Sequence, residues 1–109
     1  MMIVFDEMKE MIVPNLNGGM GSVAAKLFLD ERGKIMMSRI PQGASIGMHT
    51  HEHSSEINYV VSGQGTAVCR GEEEALRAGV CHYCPQGDSH SIRNTAKEDL
   101  VLFTVVTEG

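Results

Sequence analysis

Polar and apolar residues alternate along most of this chain in short runs, and the runs end at glycine, proline or charged clusters. From Val23 to Leu29 the positions Val23, Ala25, Leu27 and Leu29 share one face, the period-two pattern of a half-buried strand. Asp30–Lys34, DERGK, reads as a hairpin turn with Gly33 where positive φ is tolerated. Ile35–Ile40 follows as a strand, and Pro41-Gln42-Gly43 turns the chain again. Glu56 opens another alternating run, EINYVV, that ends before Gly63. Gly63-Gln64-Gly65 reads as a tight turn, Thr66–Arg70 as the returning strand, Gly71–Glu74 as a turn and Ala75–Ala78 as a short strand. Val80–Cys84 is a strand, a Pro-Gln-Gly turn follows, and His90 lies on the next strand. Leu100–Thr107, LVLFTVVT, is nearly continuous in apolar residues and predicts a strand covered on both faces. Pro14–Gly21 is a loop by composition. Residues 1–13 fit either a strand (Ile3, Val4, Phe5) or a helical turn (Met8, Met11, Ile12). Many short strands, turns between them and no clear long helix predict an all-β sandwich or barrel.

The bulk numbers narrow the class. At 109 residues the chain makes one domain. A hydrophobic fraction of 42% and a charged fraction of 21% are ordinary for a water-exposed globule. The net charge is −5 and no basic cluster occurs, which argues against a nucleic-acid partner. No apolar run approaches a membrane span. The N-terminus carries acids where a signal peptide needs a basic start, so the expected compartment is the cytoplasm. Three cysteines, an odd number, make no disulfide framework. Eight methionines and no tryptophan predict a soft core, with Met48 filling a gap.

The chemistry concentrates in one stretch. His49, His51 and Glu56 lie within eight residues. Two histidines two apart on a strand point to the same face. With Glu56 after a polar turn, they form a partial metal-ligand set on one face of a hairpin. Downstream, Gly79–Asn94 reads GVCHYCPQGDSHSIRN and places His90 just past a Pro-x-Gly turn.

These two stretches resemble the two motifs of the cupin superfamily. The first, G-x5-H-x-H-x4-E-x6-G, falls on Gly43, His49, His51, Glu56 and Gly63 without deviation. The second, G-x5-P-x-G-x2-H-x3-N, falls on Gly79, Pro85, Gly87, His90 and Asn94, also without deviation. The resemblance implies a double-stranded β-helix, the jelly-roll barrel of the cupins. The spacer of 15 residues between Gly63 and Gly79 implies a single small barrel. The expected division is an N-terminal strand or loop arm over 1–22 and one cupin barrel over 23–109. The resemblance also implies that His49, His51, Glu56 and His90 hold one divalent transition metal (Fe, Mn, Ni, Zn, Co or Cu). A homodimer is expected by analogy, with the first thirteen residues available as an exchanged strand.

Other residues near the motifs are weighed against plainer roles. Asn58 and Val60 share parity with Glu56 and should point inward; Asn58 serves either a ligand or its own burial. Arg39 would meet an anionic substrate if its face is inward, and an exposed position is the better expectation. Tyr83 is a substrate-contact candidate, with packing more common for a strand tyrosine. His53 has the parity of a fifth ligand but falls in the turn, which puts it in solvent. Cys81 and Cys84 have C-x-x-C spacing, yet residues i and i+3 of a strand face opposite sides. Pro85 should aim His90, and Asn94 should tie down the backbone behind it.

Metal-binding cupins include dioxygenases, decarboxylases, isomerases and lyases. The resemblance therefore implies a metal-dependent enzyme acting on a small oxygenated molecule: a keto or hydroxy acid, a sugar or a diol. The competing expectation is a non-catalytic small-molecule or metal sensor. A redox role for the cysteines ranks below both.

Overall fold

The computed structural model describes residues 1–108. Its strands are β1 (Met11–Pro14), β2 (Ser22–Asp30), β3 (Gly33–Ile40), β4 (Ser45–Thr50), β5 (Ser54–Ser62), β6 (Gln64–Cys69), β7 (Glu72–Arg77), β8 (Cys81–Cys84), β9 (Ser89–Arg93) and β10 (Leu100–Glu108). Short 3₁₀ turns at Phe5–Glu7 and Leu16–Gly18 are the helical elements. No helix is long and apolar enough to cross a membrane. One sheet runs β1-β2-β3-β10-β5-β8 and the other β4-β9-β6-β7, with antiparallel pairing throughout. This is the two-sheet jelly roll that the cupin resemblance implied, within the all-β sandwich or barrel expected from the alternation and turn pattern.

The inward side chains form rungs that grade from apolar to polar. Leu100 pairs Ile40, and Leu102 lies between Ser38 and Val60. The next rungs are Met36–Thr104–Asn58 and Lys34–Val106–Glu56. The apolar end joins Val23, Ala44, Ala67, Leu76 and Ile92 in the core. The polar end faces a cavity. One sheet face thus serves both folding and chemistry, because period-two alternation lets β3, β5 and β10 change character along their length without changing face.

Leu100–Thr107 is buried on its inner face and half-buried on the other, where Phe5 meets Phe103 edge to face with ring centroids 6.2 Å apart. The undecided N-terminal stretch resolves into that 3₁₀ turn and β1, which pairs with β2 of the same chain. Pro14 ends β1 and is not yet in the loop.

Two turns differ from expectation. Gly71–Glu74 is not a turn: the reversal takes only Arg70-Gly71, at φ 55° and 76°, the two positive angles of a two-residue hairpin loop. The glutamates that follow belong to β7, an edge strand whose polar residues mimic loop composition. Gln64 and Gly65 likewise already lie in β6.

The segment before β2 is bound tightly to β4. A Cβ on Gly47 would lie 2.1 Å from the Asn17 carbonyl oxygen, and one on Gly19 would lie 2.1 Å from that of Ser45. Only glycines allow this backbone approach. Met20 N–H donates to Ser45 Oγ at 2.9 Å and Ser45 N–H to the Met20 carbonyl at 2.9 Å. The loop thereby becomes a wall beside the strand that carries His49.

Candidate metal centre

His49 reaches the barrel interior through an irregularity. The β4–β9 register pairs Ile46 with Ile92 and His49 with His90, so Gly47 and Met48 oppose Ser91 alone. This bulge lets Ile46 and His49, three apart, both line the cavity. Met48, expected as filler, is pushed out and is 54% exposed. The Pro85–Gly87 turn is stitched to the first motif: Gly87 N–H donates to the His51 carbonyl at 2.6 Å, and His51 N–H to that of Asp88 at 3.0 Å. Asn94 clamps the far end of β9, its Nδ2 donating to the Ile40 and Glu98 carbonyls, each at 2.8 Å.

The result is four converging donors. The Nε2 atoms of His49, His51 and His90 form a triangle with edges of 3.1, 3.0 and 3.1 Å. Glu56 Oε2 lies 3.0 Å from His90 Nε2, and Oε1 lies 3.4 Å from His51 Nε2. All four donor atoms fall within 4.8 Å of one another. Three cis positions of an octahedron at a bond length of about 2.1 Å would be about 3.0 Å apart, whereas a tetrahedral set would need about 3.4 Å. The triangle matches the octahedral spacing.

A partner atom fixes the inward-facing lone pair of His49. His49 Nδ1 is 2.8 Å from the Gly47 carbonyl, which only accepts, so Nδ1 carries the proton and Nε2 is bare in the neutral ring. His90 Nδ1 is 2.9 Å from His82 Nε2. Three inward nitrogens beside a carboxylate call for positive charge, supplied by a proton or a cation. A divalent metal that prefers imidazole and carboxylate fits this donor set.

A cupin domain model matches residues 36–106. The chain belongs to the cupin family. An oxalate-binding protein of Thermotoga maritima is 32% identical to this cupin over 100 residues, 86% of this chain and 83% of that protein. The crystal structure of a predicted oxalate decarboxylase from T. maritima is similar with a TM-score of 0.94 at 29% identity, covering 100% of both chains. KdgF from Halomonas sp. shares the fold, with a TM-score of 0.81 and 19% identity over 100% of this chain and 94% of that one.

Asn58 does what its parity predicts. Its Nδ2 donates to Glu56 Oε2 at 2.8 Å, and its Oδ1 accepts from Thr104 Oγ1 at 2.6 Å. It holds the carboxylate in place. Arg39 takes the exposed position that was its better expectation, and Tyr83 neither packs nor reaches the cavity. β3 turns Lys34, Met36 and Ser38 into the cavity, so Arg39 faces outward, where it binds Glu10 at 2.6 Å and Asp99 at 2.9 Å. Tyr83 is 55% exposed on the outer face, beside Ile57, because β8 buries His82 and Cys84 instead. His53 is in solvent, as expected. Cys81 is exposed and Cys84 buried, so the C-x-x-C thiols do not meet. Burial, then the neighbouring Cys69, pushes the Cys84 thiol up to about 12.

Two residues escaped the sequence reading. Lys34 lines the cavity, and its charge is felt at His51. His82 is almost fully buried against His90.

Burial holds His51 below its ordinary 6.5, with Glu56 opposing and His49, His90 and Lys34 adding to the effect. Burial alone would raise Glu56, but hydrogen bonds from His90 and Asn58 and the nearby imidazole charges hold it at about 2. Both shifts mean that the unfolded chain takes up protons before the folded one. The His51 contribution is complete above about pH 6.5 and is lost below it. The Glu56 contribution is complete above about 4.3 and is lost as pH falls toward its folded value. The melting temperature of the metal-free protein should therefore fall between pH 8 and pH 4. A flat or rising profile in differential scanning fluorimetry would contradict these environments.

Proposed function

We propose that this cupin holds one divalent transition metal on His49, His51, Glu56 and His90 and uses it to take a small carboxylic acid of oxalate's kind. The observation that carries this reading is Lys34, which lines the cavity of about 380 Å³ together with His49, His51 and Glu56. On the β3–β10–β5 rung it stands two strands from Glu56, about 10 Å across the sheet at the usual strand spacing. Among the described residues it has no ion-pair partner. A lysine beside a metal is suited to an anion that spans both. The names of the Thermotoga relatives support the same ligand class.

When bound, the metal would supply Lewis-acid polarisation of a ligand oxygen, or redox chemistry if it is iron. The chain's own residues do the rest. Glu56, held by Asn58, which Thr104 in turn fixes, keeps its charge toward the donor triangle. The apolar wall of Met11, Val13, Leu16, Leu27 and Met36 limits ligand size. Lys34 orients the anion.

Turnover of that acid is the first reading. Retention without turnover is the second, and one observation favours it: Lys34 is the cavity's one titratable residue outside the donor set among the described residues. Calorimetric titration of the manganese-loaded protein should show oxalate binding, acetate binding more weakly and glucose not binding. Lys34→Met should weaken oxalate about tenfold, or about 1.4 kcal/mol. Equal affinity for all three ligands, or an unchanged Lys34→Met, would contradict the anion reading. Assay of the same mixtures for carbon dioxide and formate separates turnover from retention.

A further inference from the structure

The metal-donor set does not end at His90. His90 Nδ1 meets His82 Nε2 at 2.9 Å, and His82 Nδ1 meets Glu74 Oε1 at 2.7 Å. The rings of His82 and His90 are stacked, with an interplanar angle of 18° and centroids 5.2 Å apart. His82 and His90 are almost fully buried, whereas the Glu74 side chain is 47% exposed. The chain Glu74–His82–His90 therefore runs from the surface to the donor triangle. It also crosses between sheets, since β7 is an edge of one and β8 an edge of the other. No sequence motif contains it.

We propose that Glu74 and His82 are positioning residues that select the metal-binding tautomer of His90. The selection follows from donor and acceptor roles. A carboxylate only accepts, so the proton of neutral His82 sits on Nδ1 and its Nε2 is left as an acceptor. His82 Nε2 then requires a proton on His90 Nδ1. That leaves the lone pair of His90 Nε2 directed at His49 Nε2, His51 Nε2 and Glu56. A half-exposed acceptor thus sets the state of a buried nitrogen two rings away. Outer partners of this kind fix ring orientation and raise ligand basicity, and their loss costs about 10- to 100-fold in metal affinity.

This proposal rests on the metal reading of the four donors, and the test keeps the two apart. The sharp variant is Glu74→Lys, which puts a donor-only group at a half-exposed site where an acceptor-only group stood. His82 Nδ1 then becomes the acceptor, Nε2 carries the proton, and His90 is driven toward the Nε2–H tautomer that cannot bind metal. Glu72→Lys makes the same charge change two residues along β7 and serves as the control. Glu74→Gln keeps an acceptor oxygen and should rescue. Zn²⁺ affinity, measured by chelator competition at about 0.3 M salt to screen the added surface charge, should fall about 10- to 100-fold in Glu74→Lys. In Glu72→Lys and Glu74→Gln it should stay within about threefold of wild type, as no partner role changes there. Long-range ¹⁵N–¹H spectra of the metal-free proteins should show His82 protonated on Nδ1 in wild type and on Nε2 in Glu74→Lys. Equal affinities in the two lysine variants, or His82 protonated on Nε2 in wild type, would overturn the relay while leaving the metal site standing. A wild-type protein that takes up no Zn²⁺ would overturn both.

Discussion

Stripping the metal is expected to lower the melting temperature of this cupin by about 15–30 °C. A ligand present at about a thousand times its dissociation constant stabilises the folded state by about 4 kcal/mol. In a domain of about 100 residues each kcal/mol is worth about 4–8 °C. The direction follows from the donor triangle, where Nε2 atoms stand 3.0–3.1 Å apart. Without a cation their lone pairs oppose one another unless protons intervene, and each proton must be taken up by a buried ring. The measurement is a pair of melting curves at about pH 7.5, above the ordinary histidine range. One is recorded with a manganese or zinc supplement and one after dialysis against a strong chelator. Superimposable curves would mean that the four residues hold no metal that matters to folding.

Glu56→Gln should remove the metal while keeping the barrel. The substitution deletes the single formal negative charge of the donor set and preserves its shape. The amide oxygen that it introduces can still accept from Asn58 Nδ2, so the buried Asn58–Thr104 pair keeps its partner. The stability of the metal-free form should change little by comparison. Metal affinity should fall by at least about a hundredfold, or about 2.7 kcal/mol. The melting curve of this variant should accordingly stop responding to chelator. A variant that binds metal as tightly as wild type would remove Glu56 from the ligand set.

Much of this site was legible because its chemistry is local. His49 sits on β4, His51 one residue past its end and Glu56 on β5 after a single turn, so their short spacing suffices to place them together. Asn58 is legible for the same reason, two residues from Glu56 on β5. His90 lies beyond that reach and was placed by the resemblance of its motif. The illegible parts depend on relations between distant strands. β3 carries apolar residues on both faces, Ile35 and Met37 against Met36 and Ile40, so parity alone does not say which face is inward. Arg39 and Lys34 changed places in importance on that ambiguity. Glu74 stands in a run of three glutamates that reads as loop until the Arg70-Gly71 hairpin makes it a strand. Its partnership with His82 then joins edge strands of different sheets. The bulge at Gly47 and Met48 has no compositional mark beyond a glycine, and it is what lets Ile46 and His49 share the cavity.

The most direct test of the central claim is metal content by elemental mass spectrometry on untagged protein purified without chelator, with His51→Ala beside it. About one transition-metal ion per chain is expected in wild type, falling below about a tenth in the variant, because the triangle loses a corner. No metal in the wild type, and no uptake when iron, manganese, nickel, cobalt, copper or zinc is offered, would contradict the account.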